Sequence, residues 1–473
     1  MNNTFKKNLI FAFIAQSSSL LLSVLMSLIV PKFLSVENFG YWQLFLFYVS
    51  YAGLFHFGLT DGIYLKLGGT RYEDLDKKDI NNQFHILLLF QVMITVLIVV
   101  FSIFFVSSIE KSYILIISAI YIIIANLNWF LGYVFQATNL TKIYSLSVMI
   151  DRIAFIVFVI LTFVFKLNNF YLLMILYTIT RILALIYCLI KAKDMIKISG
   201  KALKQSLKNT IDYIKIGINL TLSSVASMLI VGIGRFFVEK KWGIEEFSKF
   251  SFSISITNFF LTFIQQISMV LFPALRQIND HKRMKDIYYS CRIFLNIMLP
   301  CIFILYIPCK VVLTWWLPQY EISLTYLAIL LPLCVFDGKM QLLSNTYMKV
   351  YRKERILLVI NVFALAVSLV FSIIGTYLFN NTYVVIIGLL LAIILRSVIS
   401  EIYLANVLKI NMKKEILAIV MEVGYSALFI IVSFNLNSML AFLTNIVLYC
   451  LYLWILKDNV KVVAHYIRQK LQK

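Results

Sequence analysis

Long apolar runs alternate with short polar gaps along nearly the whole chain. The runs fall at roughly 9–31, 40–65, 84–107, 112–136, 143–165, 170–190, 213–238, 250–275, 287–309, 322–348, 356–379, 383–408, 416–434 and 438–456. A helix needs about 20 residues to cross a bilayer core, whereas a barrel strand needs only about 9–11. Backbone groups in lipid must be satisfied within the segment, so the pattern predicts about fourteen transmembrane helices in an all-α polytopic membrane protein. No gap is longer than the stretch 191–212, which leaves no room for a folded domain outside the membrane. The first run follows Lys6 and Lys7 and is too long for the apolar core of a signal peptide, so it is expected to stay as an uncleaved helix.

The gaps repeat. VENFGYW at Val36–Trp42 is answered 208 residues later by IEEFSKF at Ile244–Phe250, and FQATNLTKIY at Phe135–Tyr144 parallels YMKVYRKERI at Tyr347–Ile356. The gaps stay in phase across six runs. The expected organisation is two pseudo-symmetric six-helix bundles, 1–191 and 213–409, joined by a linker at 192–212, with two extra helices and a basic tail at 410–473. An even number of crossings per half makes the repeat parallel, related by an axis along the membrane normal. In the linker, Lys193, Lys197, Lys201, Lys204 and Lys208 recur at helical spacing with Ile196, Leu203, Leu207 and Ile211 between them. This predicts an amphipathic helix on the inner leaflet.

Composition agrees: 61% of residues are hydrophobic and 14% charged, outside the soluble range. Twenty-nine of the 43 Lys and Arg fall in alternate gaps counted from the N-terminus, against seven in the others. That bias puts both termini in the cytoplasm. It also accounts for the net charge of +21 through topology and attraction to anionic lipids, with no need of nucleic acid. Trp42, Trp242, Trp315 and Trp316 fall at outer-side ends of runs. The six cysteines lie in or beside the runs without metal-ligand spacing, no Walker motif occurs, and VGIGRFF lacks the strand a nucleotide fingerprint needs. No cofactor or metal is expected, and no enzyme.

Ionisable residues deep in a span are expensive and face a bundle interior or a wet cavity. Arg181 and Arg396 lie near the middles of the sixth and twelfth runs, counterparts in the repeat, about 15–20 Å deep at 1.5 Å per residue. With Arg152, Arg235 and Lys339 they outnumber nearby acids, which favours an anionic substrate, since guanidinium forks suit phosphate and stay charged. The competing reading of each is an internal ion pair, such as Asp151 with Arg181 or Arg152. Asp61, Asp151, Asp337 and Glu422 are the candidates for holding a coupling proton or cation; for Asp61 and Glu401, near inner ends, solvation is the simpler reading. Arg292 is expected to snorkel to the cytoplasm, and His56 to be a satisfied packing residue.

On these runs, on IVPKFLSVENFGYWQL and FGLTDGIYLKLGG, and on the basic linker, the sequence resembles the O-antigen type oligosaccharide flippases of the multidrug/oligosaccharidyl-lipid/polysaccharide exporter superfamily. The resemblance implies a multi-pass protein of the bacterial cytoplasmic membrane that translocates undecaprenyl-pyrophosphate-linked repeat units by alternating access. Lumen cations would engage the pyrophosphate, and the last two helices would form a groove for the prenyl tail. Its partners would be the lipid-linked oligosaccharide, membrane lipids, and the polymerase and chain-length machinery of the same pathway. The alternatives are a multidrug or cation exporter of the same fold, which should carry decisive lumen acids, and a polysaccharide polymerase or ligase, which should carry a long external catalytic loop.

Overall fold

The structure, a computed structural model, describes residues 3–196, 203–276, 281–457 and 459–461. Lys197, Lys201 and the basic tail from residue 462 lie outside the described residues. Every regular element among the described residues is helical. The longer helices in chain order are α1 (Asn3–Val24), α2 (Val36–Ser50), α3 (Leu59–Leu67), α4 (Lys77–Phe105), α5 (Ile109–Ala137), α6 (Thr141–Val164), α7 (Phe170–Lys191), α8 (Leu203–Arg276), α9 (His281–Met298), α10 (Tyr306–Trp316), α11 (Glu321–Lys339), α12 (Glu354–Ile373), α13 (Thr382–Val407), α14 (Met412–Asn435) and α15 (Ser438–Ile455). Among the described residues, twelve candidate spans are long and apolar enough to cross a membrane.

Two places account for the difference from fourteen. The seventh and eighth runs are continuous in α8, divided only by non-helical Gly243 (φ 83°, ψ −173°). The second run is not one helix: α2 ends at Ser50, a 3₁₀ turn covers Ala52–His56, and Phe57 and Gly58 take φ of 49° and 86° before α3 starts. Breaking a helix at membrane depth strands carbonyls, which must find donors. Gln91 of α4 donates to the Phe55 carbonyl (2.8 Å), and Asn126 of α5 donates to the Ala52 carbonyl (3.0 Å) and to Gln91 Oε1 (2.9 Å). His56 Nδ1 accepts from the Gly58 N–H at 3.1 Å, so this histidine is a buried packing residue.

The chain forms two compact units, Met1–Met228 and Leu229–Lys473. The start of α8 belongs to the first. Its polar face docks on α4: Tyr213 donates to Asp79 (2.9 Å), Asn209 donates to Asp79 (3.0 Å), Thr210 donates to Gln83 (2.7 Å), and Gln83 donates to the Ser206 carbonyl (2.9 Å). Leu207 and Ile211 stay exposed on the other side. Nearby, Asp194 of the short helix Lys193–Ile196 accepts from Tyr72 (2.8 Å) and Lys77 (2.6 Å). Burial alone would raise the Asp194 pKa, but these donors outweigh it and hold the carboxyl below its ordinary value. The same carboxylate, added to burial, pushes the Tyr72 phenol up. The tie is present above the ordinary carboxylate range and is lost only as pH falls through the lowered value. With Asp194 42% exposed, solvent screening keeps it below about 1 kcal/mol.

Below that tie, α3 and α8 cross with backbone against backbone. A Cβ on Gly62 would lie 1.8 Å from the Tyr213 carbonyl oxygen, and one on Gly217 would lie 2.1 Å from the Gly58 oxygen and 2.4 Å from the Gly62 nitrogen. Small residues permit this approach, and Thr221 donates to Asp61 across it. Gly217→Ala is expected to destabilise the protein by about 1–3 kcal/mol or more, because the clash is with main chain that cannot step aside. Thermal unfolding in detergent checks this; an unchanged melting temperature would contradict the crossing.

The repeated heptapeptide now has a structural role. Both copies begin a helical stretch immediately after a break: Ser35 caps α2, accepting from the Asn38 N–H at 3.2 Å, and Gly243 interrupts α8 just before Ile244. Each copy then buries two aromatic rings at equivalent positions, Phe39 and Trp42 in the first, Phe247 and Phe250 in the second. Trp42 is fully buried, whereas Trp315 is exposed.

Candidate functional sites: one ionic cluster in each unit

In the first unit, α6 and α7 bring together Asp151, Arg152, Tyr177, Thr180 and Arg181. Asp151 is buried and accepts from Arg181 Nη1 (2.9 Å) and Thr180 Oγ1 (3.0 Å). Arg152 Nη1 lies 3.9 Å from the same carboxylate and donates to Tyr177 Oη at 3.4 Å. Arg181 is buried and its guanidinium sits 5.3 Å from the Trp129 ring of α5, while the Arg152 side chain keeps 28% of its surface open. Tyr177 is fixed by rings: it stacks on Tyr121 (5.4 Å) and meets Phe155 edge-on (4.8 Å). Two guanidiniums thus share one carboxylate, and the Nε of each is buried without an acceptor. The Asp151–Arg181 pair raised by the sequence exists, yet it leaves the cluster with an uncompensated positive charge.

In the second unit the deep cations are more fully matched. Arg396 of α13 pairs with Asp337 of α11, which also accepts from Gln341. Arg235 donates to Ser251 Oγ at 3.1 Å and lies 5.0 Å from the Phe247 ring. Lys339 is 1% exposed and lies between Glu401 of α13 (2.7 Å) and Glu422 of α14. Arg292 of α9 does not snorkel: it is buried between Glu401 (Nε, 3.6 Å) and Glu415 of α14. Glu401 likewise is not solvated but buried, accepting from Ser397 at 3.1 Å. A π-type turn, Met340–Ser344, follows Lys339 directly.

Sequence reasoning found Asp151, Arg152 and Arg181 and the Lys339–Glu422 pair as separate residues. It missed Thr180, Trp129 and Glu415. Glu415 follows Lys413 and Lys414 and reads as part of a basic gap, so nothing local marks it as a buried partner. Among the described residues no group of three His, Cys, Asp or Glu side chains could hold a metal ion, and the six cysteines are unbridged.

An all-helical membrane bundle of this build is shared with solved transporters. The chain superposes on a lipid II flippase, MurJ, in an inward closed conformation with TM-score 0.69 at 15% identity, over 95% of this chain and 99% of that one. It matches an outward-facing multidrug resistance MATE family transporter of the MOP superfamily with TM-score 0.60 at 12% identity, over 86% and 97%. A MOP superfamily transporter from Pyrococcus furiosus, described by a binding pocket of reversed polarity, matches with TM-score 0.58 at 13% identity, over 85% and 96%. The chain shares its fold with these solved transporters and is a multi-pass membrane protein. No curated protein matches the chain significantly. The polysaccharide biosynthesis protein family matches residues 29–320, more than half of the chain, and the chain belongs to that family.

Proposed function

We propose that this protein is a flippase that moves undecaprenyl-pyrophosphate-linked oligosaccharide repeat units across the bacterial cytoplasmic membrane by alternating access, making and breaking no covalent bond. The observation that carries this reading is the Asp151–Arg152–Arg181 cluster, two guanidiniums on one carboxylate. A buried excess of positive charge favours an anionic guest, and guanidinium forks bind phosphate oxygens in pairs. Arg152 is the open member and would meet the pyrophosphate first. Arg181, held by Asp151, would supply long-range attraction and a second fork if the pair relaxes. Arg235, half-buried, is the second unit's nearest equivalent; Arg396 and Lys339 are committed to carboxylates in this conformation. Family membership and a fold shared with a lipid II flippase support a lipid-linked sugar as the cargo.

Proteoliposomes test the proposal against its competitors. The purified protein is expected to translocate labelled undecaprenyl-pyrophosphate oligosaccharide and to leave organic cations where they are. Cation efflux without lipid translocation would instead indicate an exporter, and a lengthened sugar product would indicate a polymerase.

A further inference from the structure

The second unit encloses an ionic cluster that phosphate binding does not use. Arg292, Lys339, Glu401, Glu415 and Glu422 all have side chains at most 4% exposed. Lys339 bridges Glu401 and Glu422; Arg292 bridges Glu401 and Glu415. Three carboxylates therefore face two cations. Among the described side chains, the other groups on the packed helices do not restore the balance. Arg396 and Asp337 neutralise each other. Tyr288, one turn before Arg292 on α9, and Tyr425, one turn after Glu422 on α14, are neutral phenols whose buried Oη atoms have no hydrogen-bond partner. Tyr452 of α15 donates to the Asn296 carbonyl (2.9 Å).

An unbalanced negative charge at this burial costs several kcal/mol, and like charges that cannot all ionise share protons instead. Glu401 Oε2, Glu415 Oε1 and Glu422 Oε1 each accept no hydrogen bond, so each offers a protonation site. The geometry gives no set of three ligands for a metal ion among the described residues.

We propose that this cluster binds one exchangeable proton, shared among Glu401, Glu415 and Glu422, and that the bound proton latches α14 onto α9, α11 and α13. Two of the three carboxylates belong to α14, and both cations belong to the helices it docks on. Release of the proton to solvent leaves a net negative charge and repulsion between the α14 acids and Glu401, loosening the latch. A protonated cluster is electrically neutral and closed. The site titrates as a unit, so no single carboxyl owns the proton. This holds whatever the chain transports, so failure of the flippase reading leaves it standing, and the reverse.

Infrared difference spectroscopy on the full chain in nanodiscs, with a pH jump from neutral to alkaline, tests it. The wild type is expected to lose one protonated-carboxyl C=O band, shifted in deuterated buffer. Glu422→Gln and Glu415→Gln each restore a two-to-two balance and are expected to abolish that band while remaining folded; if one fails to fold, the other decides. The proposal is overturned if the wild type shows no such band, or if the band persists in both variants. Thermal stability that rises when sodium replaces potassium at fixed pH would also overturn it, by assigning the missing charge to a metal ion.

Discussion

Arg152→Gln is expected to slow translocation of lipid-linked oligosaccharide by about 10- to 100-fold without unfolding the protein. A hydrogen bond to a charged group contributes about 1.5–3 kcal/mol, and each 1.4 kcal/mol is a factor of ten. The fold should tolerate the change because Asp151 keeps its two close donors, Arg181 at 2.9 Å and Thr180 at 3.0 Å. Arg152 itself is the more distant and more exposed partner. The melting temperature should move by no more than about 2–4 °C. Arg152→Lys keeps the charge but not the planar fork, so it should recover only part of the rate. Translocation assays and thermal unfolding on the same preparations separate the two effects. A variant that transports normally would show that Arg152 only balances Asp151.

Lys339→Met is expected to have the opposite profile, a large loss of stability whatever the transport assay shows. Removing this ammonium leaves Glu401 and Glu422, both 1% exposed, facing each other, with Arg292 shared between Glu401 and Glu415. Breaking a buried pair by deleting one member costs about 3–5 kcal/mol. Adding Glu422→Gln to Lys339→Met removes the stranded charge and should return much of that loss. Because unpaired carboxylates take up protons, the single variant should recover stability as pH falls, whereas the double variant should respond less. Denaturant titration at two pH values reads this directly. A Lys339→Met protein as stable as the wild type would mean that the cluster is loosely packed.

These two arginine and lysine environments show what the sequence could and could not reveal. Helix-length apolar runs marked the spans, and deep cations announced themselves by their cost in lipid. The echo at Val36–Trp42 and Ile244–Phe250 pointed to equivalent positions, and in the structure each begins a helical stretch and buries two rings. What stayed hidden depended on contacts between distant segments. The break at Tyr51–Gly58 lies in a run with no proline, and the donors that permit it, Gln91 and Asn126, come from other helices. Pairing was hidden for the same reason: Arg292 reads as a snorkelling cation until Glu401 and Glu415 arrive from more than a hundred residues away. A count of charges in spans suggested one cationic chamber. Sorted by contact, the same charges form an electropositive cluster in the first unit and an acid-rich one in the second.

On the proposed function, the Asp151–Arg152–Arg181 cluster holds a pyrophosphate. This is tested most directly by the affinity of the purified protein for undecaprenyl-pyrophosphate oligosaccharide and for the same lipid lacking its phosphates, measured by native mass spectrometry. Tighter binding of the phosphorylated lipid by the wild type is expected, with loss of that preference by at least about tenfold in Arg152→Gln. Equal affinity for both lipids in the wild type, or an undiminished preference in Arg152→Gln, would contradict it.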